Sequence, residues 1–351
     1  MVLLQRLGKK KRQIIFYNFK MKLYLFIFLS VLFISCNEAR NNENKKAESH
    51  RDLDSLLKLN PNNVLLLVER GNNYLKSYNY DKALADGAKA FRLDSLNINA
   101  RCVYAEALNN RAARTVVDVA TAQKHFQHIL KKQPGNKKIY ISLASTYTQQ
   151  GDFEKSFKYI NDALRIDNKY RDAYVMKGTN YLTLGNRALA KSSYETSVQQ
   201  DPKFFEGYLQ LGFLYSEENS PLATEFFRTA ASLSPTSVDA LYGIAYSLQQ
   251  QGKFDESLRA YKELLQVKPK FYLALFNSGY IKQFEQNQLD SAEYYYRSAI
   301  ELEPKFVKGW HNLGMCYATQ GRKVDAYKAF ATALKYNPDF ELSRIEANKL
   351  R

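Results

Sequence analysis

From Val64 to Pro338 apolar and small residues recur three and four positions apart, a spacing that puts them on one face of a helix. Val307 to Phe340 shows the pattern most clearly. Trp310, Leu313, Gly314 and Tyr317 stand at i, i+3, i+4 and i+7, and Gly321 ends that face. Ala326, Phe330 and Ala333 then repeat the helical period until Pro338 closes it. The unit is therefore two amphipathic helices separated by a glycine turn.

The same ruler fits most of the chain. Pro61, Pro134, Pro202, Pro235, Pro269, Pro304 and Pro338 share its last column at steps of 73, 68, 33, 34, 35 and 34 residues, and Ser95 and Asn168 divide the two long steps. The Gly314 column reads Gly71, Ala105, Ala144, Gly178, Gly212, Ala245, Gly279 and Gly314, the two smallest residues only. Close crossing of the paired helices explains that restriction, since a larger side chain would hold them apart. The stretch resembles a tetratricopeptide repeat, whose pattern is W-x2-L-G-x2-Y…A-x3-F…P. That resemblance implies an all-α fold, a right-handed α-solenoid of antiparallel helix pairs (a TPR superhelix), with units that pack only on their neighbours.

Eight repeats are expected at 64–97, 98–136, 137–170, 171–204, 205–237, 238–271, 272–306 and 307–340, with a lead helix over 50–63 and a capping helix over 341–351. In the first repeat Gly87 replaces the aromatic of the Phe330 column, which predicts the loosest packing there. Five extra residues in the second, within NNRAARTVVDVATAQ, predict a longer first helix or a small lobe at its turn. One residue is lost around Glu218 to Pro221 and one gained around Gln286 to Leu289, changes that turns absorb cheaply.

The front of the chain follows a different logic. Lys20 and Lys22 precede an apolar run from Leu23 to Ser35, too short to span a bilayer and built like a secretory signal over 1–35. Phe33, Ile34, Ser35 and Cys36 resemble a bacterial lipobox, which implies lipidation of Cys36 and a membrane anchor there. Met21 alone would begin a compact signal, and Asn37 favours the outer membrane by the rule for such lipoproteins. Residues 36–49 are almost devoid of apolar groups and read as a tether.

Charge and chemistry narrow the function. The formal charge is +16, but seven of the 51 Lys and Arg lie in residues 1–35 with no acid, and the rest alternate with 35 acids along the helices. No basic run marks a nucleic-acid partner. Catalytic, nucleotide-binding and zinc-protease motifs are absent, so no enzyme, cofactor or metal is assigned. His125 and His128 lie three apart without a third ligand and read as a solvated face, while Cys102 and Cys316 read as packed thiols too distant to bond.

Binding is the capacity that remains. In the family the first helices line a concave groove, and the places held by His311 and Met315 point into it. Those places turn aromatic in the later repeats, with Phe213, Tyr242, Tyr246, Phe276 and Tyr280, and Asn277, Asn312, Gln249, Gln283 and Lys308 are expected as polar rim groups. The early column lacks the Lys of repeats that clamp acidic tails. The resulting expectation is a lipid-anchored scaffold in the bacterial envelope, on the periplasmic side of the outer membrane, that holds a protein or peptide partner. A second reading is that the same rings stack glycan or peptidoglycan sugars; the oligomeric state is open.

Overall fold

The computed structural model describes residues 52–350. The signal segment, Cys36 and the tether lie outside the described residues. The chain divides into two compact units, Met1–Pro202 and Lys203–Arg351. Both are all-α stacks of antiparallel helix pairs, in which each helix packs on its pair partner and then on the next pair.

In the first unit α1 covers 52–59. The pairs are α2 (Val64–Lys76) with α3 (Tyr80–Leu93), α4 (Ile98–Asn110) with α5 (Val116–Lys132), α6 (Lys137–Gln149) with α7 (Phe153–Ile166), and α8 (Arg171–Thr183) with α9 (Arg187–Gln200). The second unit pairs α10 (Phe205–Glu217) with α11 (Leu222–Leu233), α12 (Val238–Gln250) with α13 (Phe254–Val267), α14 (Tyr272–Tyr280) with α15 (Leu289–Leu302), and α16 (Val307–Thr319) with α17 (Lys323–Tyr336). Helix α18 (Glu341–Asn348) closes it and buries Ser343 and Ala347.

In seven of the eight pairs the turn uses one left-handed residue, because the chain must reverse within a few positions; the longer turn at 111–115 has none. Gly151, Gly185, Gly252 and Gly321 supply it at φ from 75 to 78°. Tyr78, Asn219 and Asn287 take the same conformation at φ 59, 54 and 52°, which costs a side chain more than a glycine.

The small-residue column has a sharper cause than helix crossing alone. On the second helix of every pair but the first, one large side chain is buried at the matching place: Phe126, Ile160, Tyr194, Phe227, Tyr261, Tyr296 and Phe330, each at most 1% exposed. A Cβ at Gly212, Gly279 or Gly314 would come within 2.6 to 2.8 Å of the ring of Phe227, Tyr296 or Phe330. The glycine is the floor on which a ring rests. Phe227 is held from both sides, since a Cβ on Gly243 of the next pair would reach its ring at 2.5 Å.

Three local expectations are corrected. Gly87 does not loosen the first pair: a Cβ there would meet the Tyr104 backbone nitrogen at 2.7 Å. Without a ring on α3, the backbone of α4 closes onto it. Beside this contact Arg70 donates two hydrogen bonds to Asp86, both 2.7 Å, and one to Asp54 at 2.6 Å, so a buried charge on α3 is matched from α2. The five extra residues of the second repeat neither extend α4 nor form a lobe. They lengthen the loop at 111–115 and give α5 17 residues where α3 and α7 have 14. A reciprocal Thr115 and Asp118 capping box starts that longer helix.

His125 is the third correction, because it is wedged rather than solvated. Its ring meets Phe91 edge-on at 4.9 Å and Tyr104 at 5.2 Å. Arg101 donates to its Nδ1 at 3.0 Å, which requires that nitrogen to be unprotonated. Burial, helped by Arg101 and His128, holds the imidazole down to about 4 against an ordinary 6.5. The unfolded chain then takes the proton more readily, so this contribution is complete above pH 6.5 and is lost as pH falls from 6.5 towards 4. Urea midpoints of His125→Phe should fall less than those of the parent over that interval; equal slopes would show that the ring does not govern it.

A candidate aromatic binding surface

The second unit brings the expected aromatic positions onto three successive leading helices. Phe213 lies on α10, Tyr242 and Tyr246 on α12, and Phe276 and Tyr280 on α14, all half-buried. They separate into two rows with different partners. Tyr242 meets Phe271 edge-on at 5.5 Å, Phe276 meets Phe306 at 4.9 Å, and His311 meets Phe340 at 5.4 Å. Each of those phenylalanines directly precedes a leading helix, α14, α16 or α18, and gives it no side-chain cap. The first row is thus clasped by the residue that opens the following pair.

The second row holds Phe213, Tyr246 and Tyr280. Phe213 packs edge-on against Phe227 at 5.2 Å, and Tyr246 stacks on Tyr242 at 5.9 Å. Tyr280 lies 4.8 Å from Phe284, which is 44% exposed. Phe284 was not foreseen. The residue gained by this repeat is absorbed as a π-turn over Ile281–Glu285, after which Asn287 adopts its left-handed conformation. The extra residue was legible in the spacing, but its conversion into a widened turn was not.

Three of the five polar groups expected at a rim lie lower, Asn277, Gln283 and Asn312 being 8, 6 and 8% exposed, while Gln249 and Lys308 are half-buried; the groove residue His311 is 9% exposed. Asn277 Nδ2 donates to the hydroxyls of Tyr242 at 3.0 Å and Tyr261 at 2.9 Å, and Tyr261 donates to Gln249 Oε1 at 2.8 Å. The next pair repeats the device: Tyr296 donates to Gln283 Oε1 at 2.9 Å, and Asn312 Nδ2 lies 3.5 Å from the Tyr296 hydroxyl. His311 Nδ1 is 3.0 Å from Ser343 Oγ of α18. These carboxamides brace the rings from beneath, and burial raises the hydroxyls of Tyr242 and Tyr261. In the first unit Phe126 stands where Tyr261 stands, without a hydroxyl, and the buried Asn109 Oδ1 on the facing helix has no hydrogen-bond partner.

Chemically the surface offers aromatic faces over a neutral, hydrogen-bonded base. Among the described residues no group of three or more His, Cys, Asp or Glu could hold a metal, and no helix is long and apolar enough to cross a membrane. Cys102 and Cys316 are free thiols, half-buried and buried, and burial raises both.

Tetratricopeptide-repeat family models match residues 137–170, 172–204, 242–281 and 307–340. The chain is 23% identical over 303 residues to the human protein O-mannosyl-transferase TMTC3, covering 81% of this chain and 33% of that protein. It is 25% identical over 305 residues to anaphase-promoting complex subunit 7 of Arabidopsis thaliana, covering 84% and 52%. The chain thus spans a third to a half of the length of these curated relatives. Among solved structures, the C-terminal part of a TPR repeat-containing protein from Cytophaga hutchinsonii superposes with a TM-score of 0.58 at 19% identity, covering 69% of this chain and 98% of that one. A chain of the Cut9–Hcn1 hetero-tetramer gives 0.52 at 14% identity, covering 92% and 61%. Ring seats, glycine turns and paired helices are the physical content of those matches: residues 137–170, 172–204, 242–281 and 307–340 carry tetratricopeptide repeats.

Proposed function

We propose that the chain is a non-catalytic, lipid-anchored scaffold of the bacterial cell envelope that captures a protein or peptide partner on the aromatic surface of its second unit. The observation that carries the reading is the second row of rings, Phe213, Tyr246 and Tyr280, joined by the exposed Phe284, beside the first-row and core tyrosines Tyr242, Tyr261 and Tyr296 that Asn277 and Gln283 fix by hydrogen bonds. Rings held in place lose little freedom on binding and provide large contact area. Two comparisons support a scaffold by their names: one relative is a subunit of a multiprotein complex, and one structural neighbour is a hetero-tetramer. The anchor rests on Cys36 after its apolar run, with the periplasmic face of the outer membrane as its location.

The test is affinity capture of the intact protein with crosslinking, comparing the parent with Tyr246→Ala/Tyr280→Ala. The double variant should lose captured partner by at least about thirtyfold, as for two interface hot spots, with its thermal midpoint little changed. A large drop in midpoint would instead make the second row part of the core. Mass spectrometry of the same sample should find acyl chains on Cys36, and an unmodified thiol would remove the anchor.

A further inference from the structure

Apart from the aromatic surface, the first unit holds a carboxylate that forms no ion pair among the described residues. Glu106 lies on α4 and is half-buried. Ser142 of α6 donates to its Oε1 at 2.5 Å and Asn110 donates to its Oε2 at 3.2 Å. Both donors are neutral. Four cations of the first unit are engaged elsewhere: Arg70 with Asp54 and Asp86, Arg111 with Asp81 and Asp118, Lys137 with Asp167, and Arg171 with Asp172 and Asp201. Lys138, one turn before Ser142, is exposed and is not ion-paired with Glu106.

We propose that Glu106 anchors a second binding site, which takes a lysine or arginine side chain from an extended segment of a partner laid across α4 and α6. The argument is one of charge and unused valence. A partly desolvated carboxylate is costly until a cation meets it. An ionised carboxylate has about four acceptor positions; Ser142 and Asn110 fill two, leaving room for the forked guanidinium of arginine or the ammonium of lysine. The two bonds also fix the direction of the group before any ligand arrives, which lowers the ordering cost of binding.

The neighbourhood suits such a ligand. Burial and then the Glu106 charge raise the Tyr80 hydroxyl, and burial, Asp172 and Glu106 raise that of Tyr170, so both phenols lie within the field of this carboxylate. Burial and then Glu106 do the same to the Cys102 thiol. Phenols within the field of a carboxylate favour a cation with an apolar stem over an inorganic ion. The site lies wholly in the first unit and does not depend on the reading of the second.

The probes are fluorescein-labelled Gly/Ser peptides of about nine residues carrying one central arginine, lysine, citrulline or glutamate, titrated by anisotropy against the full chain at low salt. Arginine and lysine peptides should bind, and citrulline and glutamate peptides should not. Glu106→Gln keeps the shape and should weaken the arginine peptide at least about tenfold, the loss expected for one charge-assisted pair. Lys138→Ala removes an exposed positive charge one turn before Ser142 and should tighten it. The unfolding midpoint of Glu106→Gln should equal or exceed that of the parent, because a desolvated charge has been removed. Equal binding of arginine and citrulline peptides, or an unchanged arginine affinity in Glu106→Gln, overturns the proposal. So does a clear fall in the midpoint of that variant, which would give the carboxylate a structural role.

Discussion

Replacing Phe227 by alanine should destabilise the second unit by about 3–5 kcal/mol, the range for deleting a fully buried aromatic. The ring is 1% exposed and lies between the Cα atoms of Gly212 and Gly243, which belong to successive helix pairs. Its loss removes contact within its own pair and between that pair and the next. Gly243→Ala attacks the same joint from the other side, placing a methyl 2.5 Å from the ring, and should cost about 1–3 kcal/mol by overpacking. The two effects cannot be independent. Once the ring has gone the methyl has room, so Phe227→Ala/Gly243→Ala should cost clearly less than the sum of the single changes. Chemical denaturation of the four proteins measures this, and strict additivity would mean that the glycine is not the seat of the ring.

Arg70→Met should also cost about 3–5 kcal/mol, for an electrostatic reason. Asp86 is 5% exposed and receives two hydrogen bonds from that guanidinium, so methionine strands a buried carboxylate. Pairing the change with Asp86→Leu should recover most of the loss, since an apolar pair of similar volume has no charge to satisfy. Failure of the second change to rescue the first would show that Arg70 acts through packing, or through Asp54, rather than through Asp86.

The sequence was explicit where one physical rule decides a column. Small residues opposite rings, glycines at reversals and prolines after helices all follow from local sterics, and together they fix an all-α stack of pairs. The candidate surface was legible less completely. Phe213, Tyr246 and Tyr280 could be placed by their spacing, but periodicity alone does not separate a ring clasped by its neighbour, such as Tyr242 beneath Phe271, from one less enclosed. Asn277 shows the same limit, because its depth depends on two hydroxyls brought from α12 and α13. Gly87 failed for the complementary reason: a missing side chain reads as a void, whereas the backbone of α4 moved in to occupy it.

The residues that open the leading helices have a consequence for how the chain is made. Asn63, Asn97 and Asn136 accept hydrogen bonds from the first turns of α2, α4 and α6, so those helices begin on their own resources. Phe271, Phe306 and Phe340 cannot do this, and each rests on a ring of the preceding leading helix. Synthesis runs in the favourable direction, because every such phenylalanine leaves the ribosome after the ring that receives it. Growth of the second unit is therefore templated from its earlier end, and a chain deprived of α12 would have to start α14 without the ring of Tyr242 that receives Phe271.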